Sequence, residues 1–337
     1  MRFRRSAVAL VAVIALAVSA CNDSSADQNG DTAAEKVSYL TSFNTFGREA
    51  YAYVALEKGY FTDAGFDVTI RPGSGTVDVL KLVAGGQADY GIGDFTATVI
   101  TLANQKLPVT TVGMIHQRSL AAIVALADGS VKEPADLVGK QIGDQPGSTN
   151  QVMFPVYAKA VGIEADKVKF IPSAPPALPQ LLVSGKVDGI GQFVVGTPLI
   201  EKAANGKKVV VFPYGDKVPD LYGNAVITRT DLAKDSPDKV KKFTAALLKG
   251  LQYSIDHPEE AAQILKKHVP TQDAEVATAE LKLMAPYVKP ENFDGPLGAV
   301  DDARVERIIK ALEESKAVPA GSVTTSDVVD GALAPKG

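Results

Sequence analysis

Apolar positions between residues 37 and 115 switch between two spacings. VSYLTSF (37–43) and FDVTI (66–70) step in twos, as strands with one buried face do. REAYAYVALEKGYF (48–61) repeats at helical spacing, with Ala50, Tyr53, Val54 and Leu56 on one side. TVDVLKLVAGG (76–86) predicts a helix closed by glycines, ADYGIGDF (88–95) a strand, FTATVITLANQ (95–105) a helix and VTTVGMI (109–115) a further strand. This β-α-β-α order implies an α/β fold with parallel-rich sheets flanked by helices.

The plan recurs about a hundred residues on. GGQADYGIGDF (85–95) is echoed by SGKVDGIGQF (184–193). In the same register Gly47 meets Gly147, Val68 and Ile70 meet Val168 and Phe170, Ser74 meets Ser173, and Leu82 meets Leu181. The period is too long for a solenoid and has the size of a lobe. Two lobes are therefore expected: 37–117 plus 231–337 as the first, carrying C-terminal helices, and 118–230 as the second. Hinge crossings are expected near SLAAIVAL (119–126) and NAVITRT (224–230). In open parallel sheets ligands bind beyond the carboxyl ends of strands, so the echoed segments predict two halves of one cleft. The competing reading is that glycines after helices and within strands are ordinary punctuation.

The chain ends add a location. Arg2, Arg4 and Arg5, the apolar stretch 7–18 and the small residues Ser19 and Ala20 have the order of a secretory signal peptide (1–20), and the stretch is too short to span a bilayer. V-S-A-C (18–21) resembles the lipobox of bacterial lipoproteins. That resemblance implies lipidation of Cys21 and anchoring to the outer face of the cytoplasmic membrane. As the single cysteine, Cys21 cannot close an internal disulfide. Residues 21–36 continue as a polar, flexible tether. Loss of 1–20 removes three arginines and no acids, taking the formal charge from −4 to −7 and disfavouring nucleic acid as a partner.

YVALEKGYFTDAGFDVTIRPGSGT (53–76), followed by LKLVAGGQADYGIGD (80–94), resembles the substrate-binding proteins of ABC importers in the alkanesulfonate, nitrate and thiamine-pyrimidine-precursor group. The resemblance spans the layout of the mature chain and is strongest over 48–95. It implies a type II-like, two-lobe periplasmic-binding-protein fold, a monomer that closes on a small-molecule ligand by hinge motion. Permease and ATPase subunits are then the partners, and no Walker motif stands in this chain. Pyrimidine-binding members carry a Trp, an Asn and a His before the Y-V-A helix, where Phe43, Phe46 and Glu49 stand here. Phe43 can still stack a ring, but the polar readout has changed. The pyrimidine-synthesising enzymes of the group carry a cysteine-rich motif that this chain lacks.

Candidate ligand-binding residues follow from the cleft. Phe43, Asn44, Thr45 and Arg48 lie between the first strand and helix. Arg48 either pairs bidentately with a sulfonate or carboxylate or is a solvated first-turn residue. Ser74, Gly75 and Thr76 open a helix in one lobe, and Ser148, Thr149 and Asn150 open one in the other, as caps, ligand contacts or both. Asp94 and Gln192 supply an acceptor and a mixed donor and acceptor. Asp94 facing the cleft disfavours a simple anion; alternatively it caps the next helix. Phe95 and Phe193 offer one ring from each lobe or belong to the core. Tyr222 and Asn224 sit at the return crossing, touching ligand or packing the interface.

His116, His257 and His268 are too scattered for a metal motif, and no acid/base or nucleophile constellation stands out, so neither metal nor cofactor is expected. The acids of 236–268 alternate with lysines as solvated helix faces, packed with 301–318 on the first lobe. The leading function is a non-enzymatic solute receptor for a ring compound of the thiamine-precursor type. An aliphatic sulfonate, nitrate or similar anion is the alternative ligand. A pyrimidine-synthesis enzyme and a sensory subunit are the rival classes.

Overall fold

The structure, a computed structural model, describes residues 34–335. The signal segment 1–20, Cys21 with its expected lipid and the tether up to residue 33 lie outside the described residues. The first strand starts two residues earlier than expected. In chain order the first lobe opens with β1 (Glu35–Leu40), α1 (Ala50–Glu57), α2 (Tyr60–Asp63), β2 (Phe66–Arg71), α3 (Thr76–Ala84), β3 (Tyr90–Asp94), α4 (Phe95–Gln105) and β4 (Val109–Met114). The helix expected over 48–61 is divided: Gly59 adopts a left-handed φ of 74° between α1 and α2. Its buried side is also wider than expected, because Tyr51, Ala52 and Ala55 are buried with Ala50, Tyr53 and Val54.

The chain then crosses into β5 (Ala121–Leu126) and continues through β6 (Gln141–Asp144), α5 (Thr149–Val161), β7 (Lys169–Pro172), α6 (Leu178–Val183), β8 (Gly189–Phe193), α7 (Thr197–Ala203) and β9 (Val209–Pro213). It returns in β10 (Asn224–Arg229) and ends in α8 (Thr230–Asp235), α9 (Pro237–Asp256), α10 (Pro258–His268), α11 (Ala274–Val288), α12 (Asp302–Glu314) and α13 (Thr325–Val328).

The strand orders are β2-β1-β3-β10-β4 and β7-β6-β8-β5-β9. Each sheet is mixed. β1 runs parallel to β2 and β3, but β10 lies antiparallel between β3 and β4; β5 plays the same part between β8 and β9. Each lobe thus borrows its fourth strand from the chain that arrives from the other. Asn224–Arg229, expected as the return crossing at the end of 118–230, pairs in the first sheet. The antiparallel strand in each otherwise parallel sheet is not visible in the local β-α order, because an inserted strand leaves no mark on its neighbours' periodicity.

The two orders superpose element by element, which places β3 and β8, the echoed segments, at the centre of their sheets. Their glycines make room for packing. A Cβ on Gly91 would lie 2.4 Å from Val79 Cγ1, and one on Gly191 2.1 Å from Asp144 Oδ2. The glycine repetition thus reflects tight packing over a central strand.

The C-terminal helix α9 packs on α1 and α2 of the first lobe. Phe243 of α9 stacks on Tyr90 at 3.8 Å and on Phe61 at 5.2 Å, and Gly250 lets α9 approach α1 so closely that a Cβ there would stand 2.3 Å from the Tyr51 carbonyl. α11 reaches further. It packs against the short turn Gly47–Glu49 in the first lobe and against Val194–Gly196 and α7 in the second. Among the described residues, no helix is long and apolar enough to cross a membrane.

Candidate functional site

The two lobes meet where α3 and α5 begin. Gly75, at φ 114°, lies against Ser148, a Cβ there falling 3.3 Å from Ser148 Cα. The Val77 N–H donates to the Gly147 carbonyl at 3.4 Å. Thr76 Oγ1 and Thr149 Oγ1 stand 2.9 Å apart, one hydroxyl from each lobe. Thr76 Oγ1 also accepts the Asp94 N–H at 2.9 Å, which ties this contact to the end of β3.

Asp94 caps α4 by accepting the Ala97 N–H on Oδ1 at 3.0 Å, while its buried Oδ2 has no partner. Burial pushes the carboxyl up to about 7, against the pull of the Ala97 and Thr96 N–H groups. Across the ladder from Asp94 stands Asn224, whose N–H donates to His116 Nδ1 at 3.3 Å and whose buried Oδ1 has no partner. His116 is fully buried. Burial, with the nearby Arg48 charge, holds it down to about 3, so the ring is neutral.

Arg48 is buried as well, at 1 % exposure. Nη2 donates to the Phe43 carbonyl at 3.1 Å. The guanidinium lies 4.8 Å from the Phe46 ring centroid and 4.5 Å from that of Phe193, which comes from the other lobe. Phe43 meets Phe193 edge to face at 6.3 Å. Glu49 Oε1 stands 3.6 Å from Arg48 Nε and accepts the Ser42 hydroxyl at 2.5 Å, while Glu49 Oε2 accepts the Tyr51 hydroxyl at 3.3 Å. Arg48 Nε and Nη1 have no hydrogen-bond acceptor. Glu280 of α11 accepts the Arg48 backbone N–H at 3.3 Å on Oε2 and leaves Oε1 unpartnered. Burial pushes Glu280 up to about 7, with Arg48 pulling the other way.

Of the residues expected from sequence, this seam brings together Phe43, Arg48, Gly75, Thr76, Asp94, Ser148, Thr149, Phe193 and Asn224. The others are placed differently. Phe95 is in a different hydrophobic cluster from Phe193 and meets Tyr222 edge to face at 5.5 Å. Tyr222 is held at the crossing, its hydroxyl accepting the Asp301 N–H at 3.1 Å. Asn150 is committed to backbone, Oδ1 accepting the Ala122 N–H at 3.1 Å, and Gln192 Oε1 accepts the Phe193 N–H at 2.8 Å. Ser74 is exposed and pairs with Phe43 by an isolated bridge. Asn44 takes a left-handed φ of 56° and is half-buried, and Thr45 is buried beside Tyr53.

Arg48 is not the solvated residue of the competing reading. Phe46 and Glu49, noted in the sequence only as positions where the pyrimidine readout has changed, join the cluster, and His116 and Glu280 are not expected there from the sequence at all. Glu280 left a signal: it shares the buried side of α11 with Ala277, Leu281 and Met284, an acid within an apolar stripe. Among the described residues no group of three or more His, Cys, Asp or Glu could hold a metal.

A family profile described as NMT1/THI5 like matches residues 48–261. The chain is 27% identical over 312 residues to a formylaminopyrimidine-binding protein of Halalkalibacterium halodurans, covering 90% of this chain and 91% of that protein. It is 26% identical over 268 residues to a 4-amino-5-hydroxymethyl-2-methylpyrimidine phosphate synthase of Candida albicans, covering 75% of this chain and 77% of that protein. The fold is similar to that of the periplasmic aliphatic sulphonate binding protein SsuA of Escherichia coli. The TM-score is 0.66 at 14% identity, over 88% of this chain and 92% of that one. At that identity the likeness concerns the fold alone, and it is the two-lobe periplasmic-binding-protein fold expected from the sequence.

Proposed function

The chain belongs to the NMT1/THI5-like family, and from that premise we propose that it is the extracytoplasmic solute-binding component of an ABC importer, capturing a small heteroaromatic solute between its lobes. The observation that carries this reading is the charge and hydrogen-bond inventory of the seam. One buried guanidinium, Arg48, feels the carboxyls of Glu49 and Glu280, and a third buried carboxyl, Asp94, ends β3. Glu49 pairs with the one guanidinium, so the seam offers a bare anion no unopposed positive charge, and Asp94 and Glu280, pushed up to about 7, add none. The unpartnered atoms are mixed: donors at Arg48 Nε and Nη1, an acceptor at Asn224 Oδ1, and the carboxyl oxygens Asp94 Oδ2 and Glu280 Oε1, which donate when protonated and accept when ionised. An uncharged ring with both amino donors and ring or carbonyl acceptors matches that inventory, and Phe43, Phe46 and Phe193 add aromatic surface. The relative from H. halodurans, named for binding a formylaminopyrimidine, supports the same class.

The inventory also supplies a reason to close. A buried polar group left without a partner costs about 1–3 kcal/mol, so a shut seam with several such atoms is penalised unless a solute satisfies them. A solute that does so only when both lobes are engaged has the differential affinity that shifts the equilibrium toward the closed form. Within this proposal the protein is a lipoprotein held by Cys21, working as a monomer with permease and ATPase subunits, and it performs no chemistry on the solute. The alternative of a sulfonate or nitrate ligand rests on Arg48 and on the facing starts of α3 and α5.

Thermal-shift and calorimetric titration of the purified chain with aminopyrimidines, formylaminopyrimidines, alkanesulfonates and nitrate tests the reading. Saturable binding by the pyrimidines supports it. Binding of the anions alone would replace it with the alternative, and conversion of any pyrimidine into product would return the enzyme class.

A further inference from the structure

The segments that join the lobes lie just before the expected 119–126 and 224–230, which form β5 and β10; they run around 115–120 and 214–223 and are held by the C-terminal part of the chain. The Gln117 and Arg118 N–H groups donate to the Tyr287 carbonyl at 2.7 and 3.2 Å, and Gln117 Nε2 donates to the Ala299 carbonyl at 2.9 Å. At the centre is Arg304 on α12. Its Nε donates to the Asp220 carbonyl at 2.7 Å, and its Nη2 donates to the carbonyls of Gln117 at 2.8 Å and Leu221 at 3.2 Å. Its guanidinium lies 3.7 Å from the Tyr222 ring centroid. One side chain thus holds backbone from both crossings at once. Arg307, one turn on, fixes the second crossing again through two 3.1 Å bonds to the Asp220 carboxylate.

We propose that Arg304 is a positioning residue for solute capture: by joining the carbonyls of both crossings it fixes the hinge and so sets the equilibrium between open and closed lobes. This rests on the reading of the chain as a two-lobe receptor. The chemistry requires an arginine. Three carbonyls in a fixed fan need a planar group with several N–H vectors, whereas a lysine ammonium is a compact charge on a flexible stem. Hinges are a few residues that absorb the φ/ψ change of domain closure, and a clamp across both of them restrains that change directly. The bonds are made to the crossing backbone, so the control acts through the hinge and needs no contact with the solute.

The test measures lobe separation without solute. Spin labels at Asp67→Cys on the edge of the first sheet and Lys169→Cys on the edge of the second, both exposed positions, are introduced with Cys21→Ser so that they alone are labelled. Pulsed dipolar spectroscopy is compared for Arg304, R304K and R304A, alongside hydrogen exchange of the amides in 115–120 and 214–223. The proposal expects a broadened, shifted distance distribution in R304A and at least tenfold faster exchange at both crossings, with R304K also failing to restore the parent distribution. Distances and exchange matching the parent in a folded R304A would overturn it. Should R304A fail to fold, R304K decides: an unchanged distribution overturns the clamp and a broadened one supports it. Because no solute is present, a moved distribution together with a blank solute panel would remove the proposed ligand class and leave the clamp standing.

Discussion

Asp94→Asn isolates one buried charge at the seam. Asp94 is fully buried, caps α4 through Oδ1 and has no partner at Oδ2. Its folded value of about 7 lies about three pH units above the ordinary carboxylate range, so folding favours the protonated form. The stabilisation associated with that proton is fully present below about pH 4 and is lost as pH rises through 7. At about 1.4 kcal/mol per pH unit, the loss approaches ~4 kcal/mol by pH 8. Asparagine keeps the capping oxygen and cannot ionise. The variant is therefore expected to be the more stable by about 1 kcal/mol at pH 4.5 and increasingly so toward pH 8, by up to ~4 kcal/mol and by less where the ionised carboxylate relaxes toward water. Urea unfolding at pH 4.5, 6 and 8 at constant ionic strength measures this. Asp144 and Glu280, also pushed up to about 7, contribute equally to both proteins and cancel in the difference. Parallel stability curves for parent and variant across that range would refute the reasoning.

Gly250→Ala places a Cβ 2.3 Å from the Tyr51 carbonyl and 2.8 Å from Ala55 Cβ, and forcing α9 from α1 is expected to cost about 1–3 kcal/mol in denaturant unfolding. Thr76→Val deprives the Asp94 N–H of its acceptor and Thr149 of its hydroxyl partner; a loss of about 1–3 kcal/mol is expected by the same measurement, and an unchanged midpoint would show that the contact contributes nothing. Phe193→Ala and Phe95→Ala separate site from core. Both lower stability, but only Phe193→Ala is expected to abolish the rise in Tm produced by a bound pyrimidine, because Phe95 packs on Tyr222 and not on Arg48. A pyrimidine-dependent shift that survives in Phe193→Ala and vanishes in Phe95→Ala would reverse this assignment.

Much of this architecture is written locally. The α4 segment 95–105 and its Asp94 cap follow from a strand giving way to helical spacing behind an acid, and the echo at a hundred residues marks two equivalent sheets before any contact is known. Those features depend on windows of a few residues, where side-chain direction alternates by fixed rules. The insertion of β10 between β3 and β4 could not be read that way, because its pairing joins Asn224 to Asp94 across 130 residues of chain. Nor could the fates of Phe95 and Phe193, which carry the same residue type after similar strands. One packs on Tyr222, and the other meets Arg48 and Phe43 from the opposite lobe. Glu280 joins Arg48 only because α11 lies against the turn that carries it. The sequence by itself determined the elements, the twofold plan and the family. Tertiary structure alone decided which buried charges share the seam, because desolvation and pairing depend on the groups that distant segments bring within a few ångströms of one another.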